Sequence, residues 1–297
     1  MTSQRNQCVS FFSTILISLA ILFGLRDDGS AAESFTIGVI QYNVKGGSGG
    51  WKNASGVLDA QFGLIKDQIR SNQVDFIALE QAGDKPGKPE PIISNKLAES
   101  GLKGWRTITS VCYPDTTQLA FSSSWEPAAA PLANGDFPQP CWKHGRPYNI
   151  VLLKSKKSAL QVLFVVTHMP HCEEAEHNWR GCLKSWKSDQ FAKDLAKVLG
   201  AVDYRVVNLI MAGDLNELGE LDPNVVFNEL LVPIFGKLQI SSALNTCCSN
   251  SNWIYSYDRI VANSSRLTVP ELLGVYPHGS VNEEHKAIYG TVAFSSR

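Results

Sequence analysis

The sequence predicts a mixed α/β fold in one mature domain. Short apolar runs rich in valine and isoleucine recur along the chain, bounded by turn residues. Stretches with helical spacing stand between some of them. No linker divides the mature chain, and 297 residues with 44% apolar content can bury one large core. The apolar runs are nearly continuous rather than alternating, so each strand is expected to be covered on both faces.

The first 32 residues stand apart from that domain. Arg5 precedes the apolar run FFSTILISLAILFGL at 11–25, and Ser30-Ala31-Ala32 is a small-x-small cleavage pattern. Residues 1–32 therefore read as a secretory signal peptide and 33–297 as the mature domain. The run of 15 residues is short of the about 20 that a membrane helix needs; an uncleaved anchor is the alternative reading. No later stretch is long or apolar enough to span a bilayer.

Strands are expected at 35–44, 74–80, 105–111, 119–123, 149–154, 160–168, 206–213, 257–262 and 288–294. A helix is expected at 56–71, where Val57, Leu58, Phe62, Ile65 and Ile69 recur at helical spacing. A second spans 184–199, with Trp186, Phe191, Leu195 and Leu199 on one side. A third, at 222–232, opens with Asp222 as cap and Pro223 in the first turn. The Pro- and Gly-rich stretch 124–147 reads as a long surface loop.

Cleavage of the leader leaves Cys112, Cys141, Cys172, Cys182, Cys247 and Cys248, an even set that suggests disulfides in an exported chain. Cys172–Cys182 is the nearest local pair and Cys112–Cys141 a second; the adjacent Cys247 and Cys248 leave their connectivity open. No CxxC spacing points to zinc. Asn53 and Asn263 begin glycosylation sequons. Charge is balanced, with 27 basic and 28 acidic residues, which argues against a dedicated DNA-binding module but not against an enzyme that holds its substrate briefly.

Polar residues collect where the apolar runs stop. Asn43 ends the first run, Glu80 the second, and His168 the run from 160. The run from 206 continues into LIMAGDLNEL, ending on Asp214 and Asn216. Asp258 opens its run, and Glu283, Glu284 and His285 precede the last one. Each alone fits a turn or strand end, and Asp214 with Asn216 fits an Asx-turn. Together, they place carboxylates, amides and imidazoles at successive strand ends.

The landmarks QYNV (41–44), LEQAG (79–83), THMP (167–170), AGDLNE (212–217), YDRIV (257–261) and EHKAIYG (284–290) extend this pattern. In this order the chain resembles the endonuclease/exonuclease/phosphatase superfamily, which includes pancreatic-type deoxyribonucleases and the catalytic subunit of cytolethal distending toxin. The resemblance implies an α/β (α+β) four-layer αββα sandwich, two mainly antiparallel sheets packed face to face with helices outside. It also implies a secreted phosphodiesterase that hydrolyses DNA by in-line attack of water with a divalent cation, magnesium foremost and manganese or calcium as alternatives.

The resemblance assigns roles residue by residue. Glu80 is the main metal ligand, with Asn43 beside it and Glu284 near the terminal histidine. His285, oriented by Asp258, takes the proton of the attacking water or binds phosphate; His168 protonates the leaving oxygen; Asp214 and Asn216 position water and phosphate. Arg146 is a phosphate clamp or an ordinary loop arginine. Lys143, Lys154, Lys156 and Lys157 are further phosphate contacts or a solvated face. The sequence departs from the family pattern twice: Glu284 stands where an aspartate is usual, and Gln118 is the nearest candidate for the carboxylate that usually supports the acid histidine. DNA is the implied partner. Phosphoinositides or sphingolipids are the alternative substrates, toxin delivery subunits follow from the toxin branch, and Glu284 in place of the usual aspartate keeps a catalytically impaired, toxin-like binding subunit as a further alternative.

Overall fold

The computed structural model describes residues 34–44, 54–71, 73–83, 92–113, 115–129, 140–142, 145–170, 188–200, 207–216, 229–247, 255–273 and 285–295. The leader, Asn53, Lys143, Cys172, Cys182, Cys248, Glu283 and Glu284 lie outside them.

One sheet has the order β11-β12-β1-β2-β4-β3. Its strands are β1 (Ser34–Asn43), β2 (Phe76–Glu80), β3 (Arg106–Cys112), β4 (Asp115–Phe121), β11 (Arg266–Leu273) and β12 (Ala287–Ser295). The other has the order β5-β6-β7-β8-β10-β9. It contains β5 (Trp125–Pro127), β6 (Tyr148–Ser155), β7 (Gln161–His168), β8 (Val207–Asp214), β9 (Gln239–Ile240) and β10 (Asp258–Ala262). Within each sheet the two central strands run parallel, β1 with β2 and β7 with β8, and the remaining pairs are antiparallel.

A helix connects each parallel pair, as a parallel crossover requires. Helix α1 (Ala54–Ser71) follows β1, and α3 (Ser188–Leu199) follows β7. Helices α2 (Ile92–Glu99) and the single turn α4 (Val232–Phe235) complete the described set. None of the described helices is long and apolar enough to cross a membrane.

Packing confirms the four layers. Leu58, Phe62 and Ile65 of α1 and Ile93 and Leu97 of α2 cover Ile40, Ile77 and Leu79 on the outer face of the first sheet. Phe191, Leu195 and Val198 of α3 cover Ile150, Leu163 and Leu209 on the outer face of the second. Between the sheets lies a third core, where Phe76 packs against Phe164 and Trp125 with ring centroids 4.8 and 4.9 Å apart. Alternate residues of one strand thus feed two different cores, which explains the near-continuous apolar runs.

Differences from expectation have local causes. Helix α2 has only 8 residues, too few for its buried Ile92, Ile93 and Leu97 to show a period. β4 starts at Asp115 rather than 119, because its first residues are polar yet buried. Of the expected loop at 124–147, Trp125 lies in β5 and Trp142 is fully buried against Tyr148 and Phe191, so those parts belong to the core. Cys112 and Cys141 form a disulfide, as expected, and Cys247 is also disulfide-bonded. The Asn263 amide is turned onto the fold, accepting from Leu209 N at 2.6 Å and donating to Phe235 O at 3.3 Å.

Candidate active site

At every second residue, the inward-facing stripe of each central strand is apolar at one end and polar at the other. β1 presents Ile37, Val39, Gln41 and Asn43; β2 presents Phe76, Ala78 and Glu80. β7 presents Val162, Phe164, Val166 and His168; β8 presents Ile210, Ala212 and Asp214. The antiparallel strands read in reverse: Ala262, Ile260 and Asp258 on β10, and Phe121, Leu119, Thr117 and Asp115 on β4. All polar ends meet at one end of the sandwich. The apolar ends lock the strands, so the polar side chains are held by packing that they do not themselves supply.

Asp214 is at the centre. Its Oδ2 accepts from Asn43 Nδ2 at 2.7 Å and lies 3.6 Å from His168 Nε2 and 3.8 Å from His285 Nε2. Its Oδ1 accepts from Asn216 N at 2.9 Å. Gly213 allows this placement: a Cβ there would meet Thr167 O at 1.8 Å. Asn216 has φ 51°, and its Nδ2 donates to Met169 O. The Asx-turn is therefore present, and it ties the Asp214 end of β8 to the His168 end of β7. Gln81, directly after Glu80, also has φ 51°. Left-handed backbone at two non-glycine residues beside functional groups costs free energy that the surrounding structure must offset.

Each histidine is held by an aspartate. His285 Nδ1 lies 2.9 Å from Asp258 Oδ2, and His168 Nδ1 lies 2.9 Å from Asp115 Oδ2. Asp258 places a proton on Nδ1 of His285, and both rings direct Nε2 at Asp214. Arg146 Nη1 lies 3.1 Å from His168 Nδ1 and 3.3 Å from Asp115 Oδ2, which brings the arginine into the site. Cys247 Sγ lies 3.4 Å from His285 Nε2.

The electrostatics follow from burial and neighbours. Burial, with the charge of Asp258 second, raises the Glu80 carboxyl well above its ordinary range. Burial and then Arg146 lower His168, while Asp214 and Asp115 oppose them. Burial also pushes Asp214 up, but His168, His285, the Asn216 N–H and Asn43 outweigh it and hold the carboxyl at about 2. The neighbours thus favour the ionised form of Asp214 between the two rings.

The donor chemistry fits a hard cation, which takes oxygen ligands. Glu80 is fully buried, its carboxylate is costly to ionise alone, and its Oε1 has no hydrogen-bond partner among the described residues. Asn43 lies beside it in the parallel register of β1 and β2. Asp214, Asp258 and His285 also bring ligand atoms within 4.8 Å of one another, although Asp258 and His285 are already paired.

Most of the expected site residues converge. Asn43, Glu80, Arg146, His168, Asp214, Asn216, Asp258 and His285 lie at the polar end, while Glu284 lies outside the described residues. The supporting group for His168 is a correction. Gln118 is on the other face of β4, accepting from Ile93 N and donating to Ala82 O, whereas Asp115 points inward to His168. Parity along β4 is the signal: Asp115 is an even number of residues from inward-facing Leu119. The described lysines fit the second of their two readings, an exposed charged face. Lys154, Lys156 and Lys157 lie at the β6–β7 hairpin, the end opposite His168, and Lys154 pairs with Glu126 at 3.1 Å.

Gln41 is a further buried residue beyond the strand-end set. Its Nε2 donates to Glu80 Oε2 at 2.7 Å and to Asp258 Oδ1 at 2.8 Å, joining the two sheets.

No protein-family model and no curated protein sequence matches the chain. Solved structures do. An endonuclease/exonuclease/phosphatase family protein from Bacteroides thetaiotaomicron superposes with a TM-score of 0.57 at 13% identity, covering 89% of this chain and 99% of that one. ANGEL2, described as a 2′,3′-cyclic phosphatase and bound to adenosine-2′,3′-vanadate, gives 0.56 at 15% identity, covering 88% and 96%. TDP2 from D. rerio, complexed with single-strand DNA product, gives 0.53 at 14% identity, covering 86% and 98%. The chain has the endonuclease/exonuclease/phosphatase fold.

Proposed function

We propose that this protein is a divalent-metal-dependent phosphoesterase that hydrolyses phosphodiester bonds in DNA. The observation that carries this reading is the pair of imidazoles whose Nε2 atoms both approach Asp214 Oδ2, at 3.6 and 3.8 Å, each backed by its own aspartate. In-line displacement needs a proton removed on one side of phosphorus and delivered on the other. His285, oriented by Asp258, takes the proton of the attacking water. His168, oriented by Asp115, gives a proton to the leaving oxygen. Arg146 beside His168 suits a phosphate oxygen. Asp214 keeps both rings aimed at the shared space, and Asn216 holds the β8 turn in place. Glu80 and Asn43 would hold the cation, which supplies charge stabilisation to the phosphate oxygens.

DNA is favoured over lipid by the likeness to the deoxyribonuclease motifs and by the TDP2 structure with single-strand DNA product. The Cys112–Cys141 disulfide and the leader support an exported protein. A genotoxin-subunit role rests on the EQAG likeness, and binding to delivery subunits tests it.

Nicking of supercoiled plasmid with magnesium is the direct test. The parent should cleave, chelator should stop it, and His168→Ala and His285→Ala should each slow it at least roughly 10²-fold. Equal cleavage by parent and variants would reject the residue roles. Release of phosphate or phosphocholine from lipid, with DNA left intact, would move the substrate to lipids.

A further inference from the structure

Gln41 is the first polar residue in the inward stripe of β1, after Ile37 and Val39 and before Asn43. An apolar side chain would suit the inter-sheet core at that level. The amide instead meets two buried carboxylates from opposite sheets, Glu80 on β2 and Asp258 on β10. Both Nε2 protons are thereby committed. With Glu80 ionised, as it must be to take a cation, turning the amide over would put its oxygen against two carboxylate oxygens at 2.7 and 2.8 Å, which they do not tolerate. The carbonyl oxygen must therefore find its partner elsewhere. Gln41 is 0% exposed, and its Oε1 has no hydrogen-bond partner among the described residues. Glu80 Oε1, on the carboxylate that Gln41 holds, is in the same condition. Among the described residues, two neighbouring buried groups thus each present an acceptor oxygen without a proton donor. Such oxygens are costly to bury and suit a hard cation.

We propose that Gln41 belongs to the cation site, its amide nitrogen fixing Glu80 and Asp258 and its carbonyl oxygen serving as an added ligand to the cation that Glu80 takes. The inference rests on the metal-dependent reading above and extends it to a residue outside the strand-end set. It also links the cation to the base, because Gln41 grips both the cation's carboxylate and the aspartate that orients His285. Gln41 acts on the chemistry through those groups and is a positioning residue for the reaction.

Manganese titration of the mature protein by calorimetry, with thermal melting in chelator, tests this. Gln41→Leu keeps the volume and removes both polar atoms. It should weaken manganese binding by roughly 10- to 100-fold. Nicking should then need correspondingly more metal, while kcat at saturating metal falls much less. Unchanged manganese affinity in folded Gln41→Leu would overturn the proposal and leave Gln41 an inter-sheet crosslink. Gln41→Glu covers the case in which the leucine variant fails to fold. It presents oxygens only, so manganese should raise its melting temperature more than it raises the parent's; a smaller rise would count against the ligand role. Glu80→Gln separates the two layers of the argument. If the parent binds no manganese, or Glu80→Gln binds it as well as the parent, the metal reading itself fails and the Gln41 proposal with it. If Glu80→Gln loses binding and Gln41→Leu does not, only the Gln41 proposal fails.

Discussion

The two sheets have the same sequence of strand directions, with a parallel pair at the centre flanked by antiparallel strands. Their site residues correspond position by position. Asn43 ends β1 as His168 ends β7, and Glu80 ends β2 as Asp214 ends β8. Asp115 opens β4 as Asp258 opens β10. His285 stands two residues before β12, and Arg146 two before β6. Each histidine then takes its aspartate from the opposite sheet.

The same scaffold positions carry different chemistry. Burial first and the neighbouring Asp258 second push Glu80 up, whereas Asp214, equally buried, lies between imidazoles that hold it at about 2. One end of the site therefore suits a cation, and the other already has its counter-charges. The two dyads differ as well: Arg146 stands beside His168, while His285 faces the Cys247 sulfur. A nearby guanidinium makes the imidazolium of His168 the readier proton donor. The division of labour comes from neighbours rather than from backbone geometry.

The largest effect should come from removing the base. His285→Ala should cut the plasmid-nicking rate by about 10⁴-fold and His168→Ala by about 10²-fold; equal losses would mean that the two dyads are interchangeable. Next is the crosslink that ties β3, beside the Asp115 strand, to the segment leading to Arg146. The Cys112→Ser/Cys141→Ser double variant should lose about 3–4 kcal/mol for a disulfide across 29 residues, read as a lower denaturant midpoint. KM should rise with it as Arg146 loosens.

Smaller again is the gain expected from Glu80→Gln in chelator. A carboxyl whose folded pKa is raised contributes stability below its unfolded value, and that contribution is lost as pH rises through the folded one. The variant should therefore be more stable than the parent at neutral pH by about 1–3 kcal/mol, with the gain fading below pH 4.5, seen by melting across pH. Asp115→Asn should change the peak rate least. Asp115 favours the protonated His168, so its loss leaves Asp214 alone against burial and Arg146, and the high-pH limb of kcat should move to lower pH.

Much of this was legible in the sequence. Apolar runs located nine strands, because burial on both faces leaves no room for alternation. Glu80, His168 and Asp214 stood out because a buried strand that closes on a charge breaks its own pattern. Asp115 and Gln41 did not. Asp115 sits at the start of a strand whose first inward residues are polar, so no apolar run announces it. Gln41 lies within an apolar run and looks like an interruption of it. Their roles depend on parity and on what the other sheet places opposite.

Local chain chemistry decided where strands form, which residues face a core and which strand ends are polar. Pairing could not be decided locally. That His168 takes Asp115 rather than Gln118, and that Gln41 reaches Asp258 across 217 residues of chain, followed only from packing two sheets face to face. Hydrogen bonds and charges act over a few ångströms, and only the folded sandwich brings such distant residues that close.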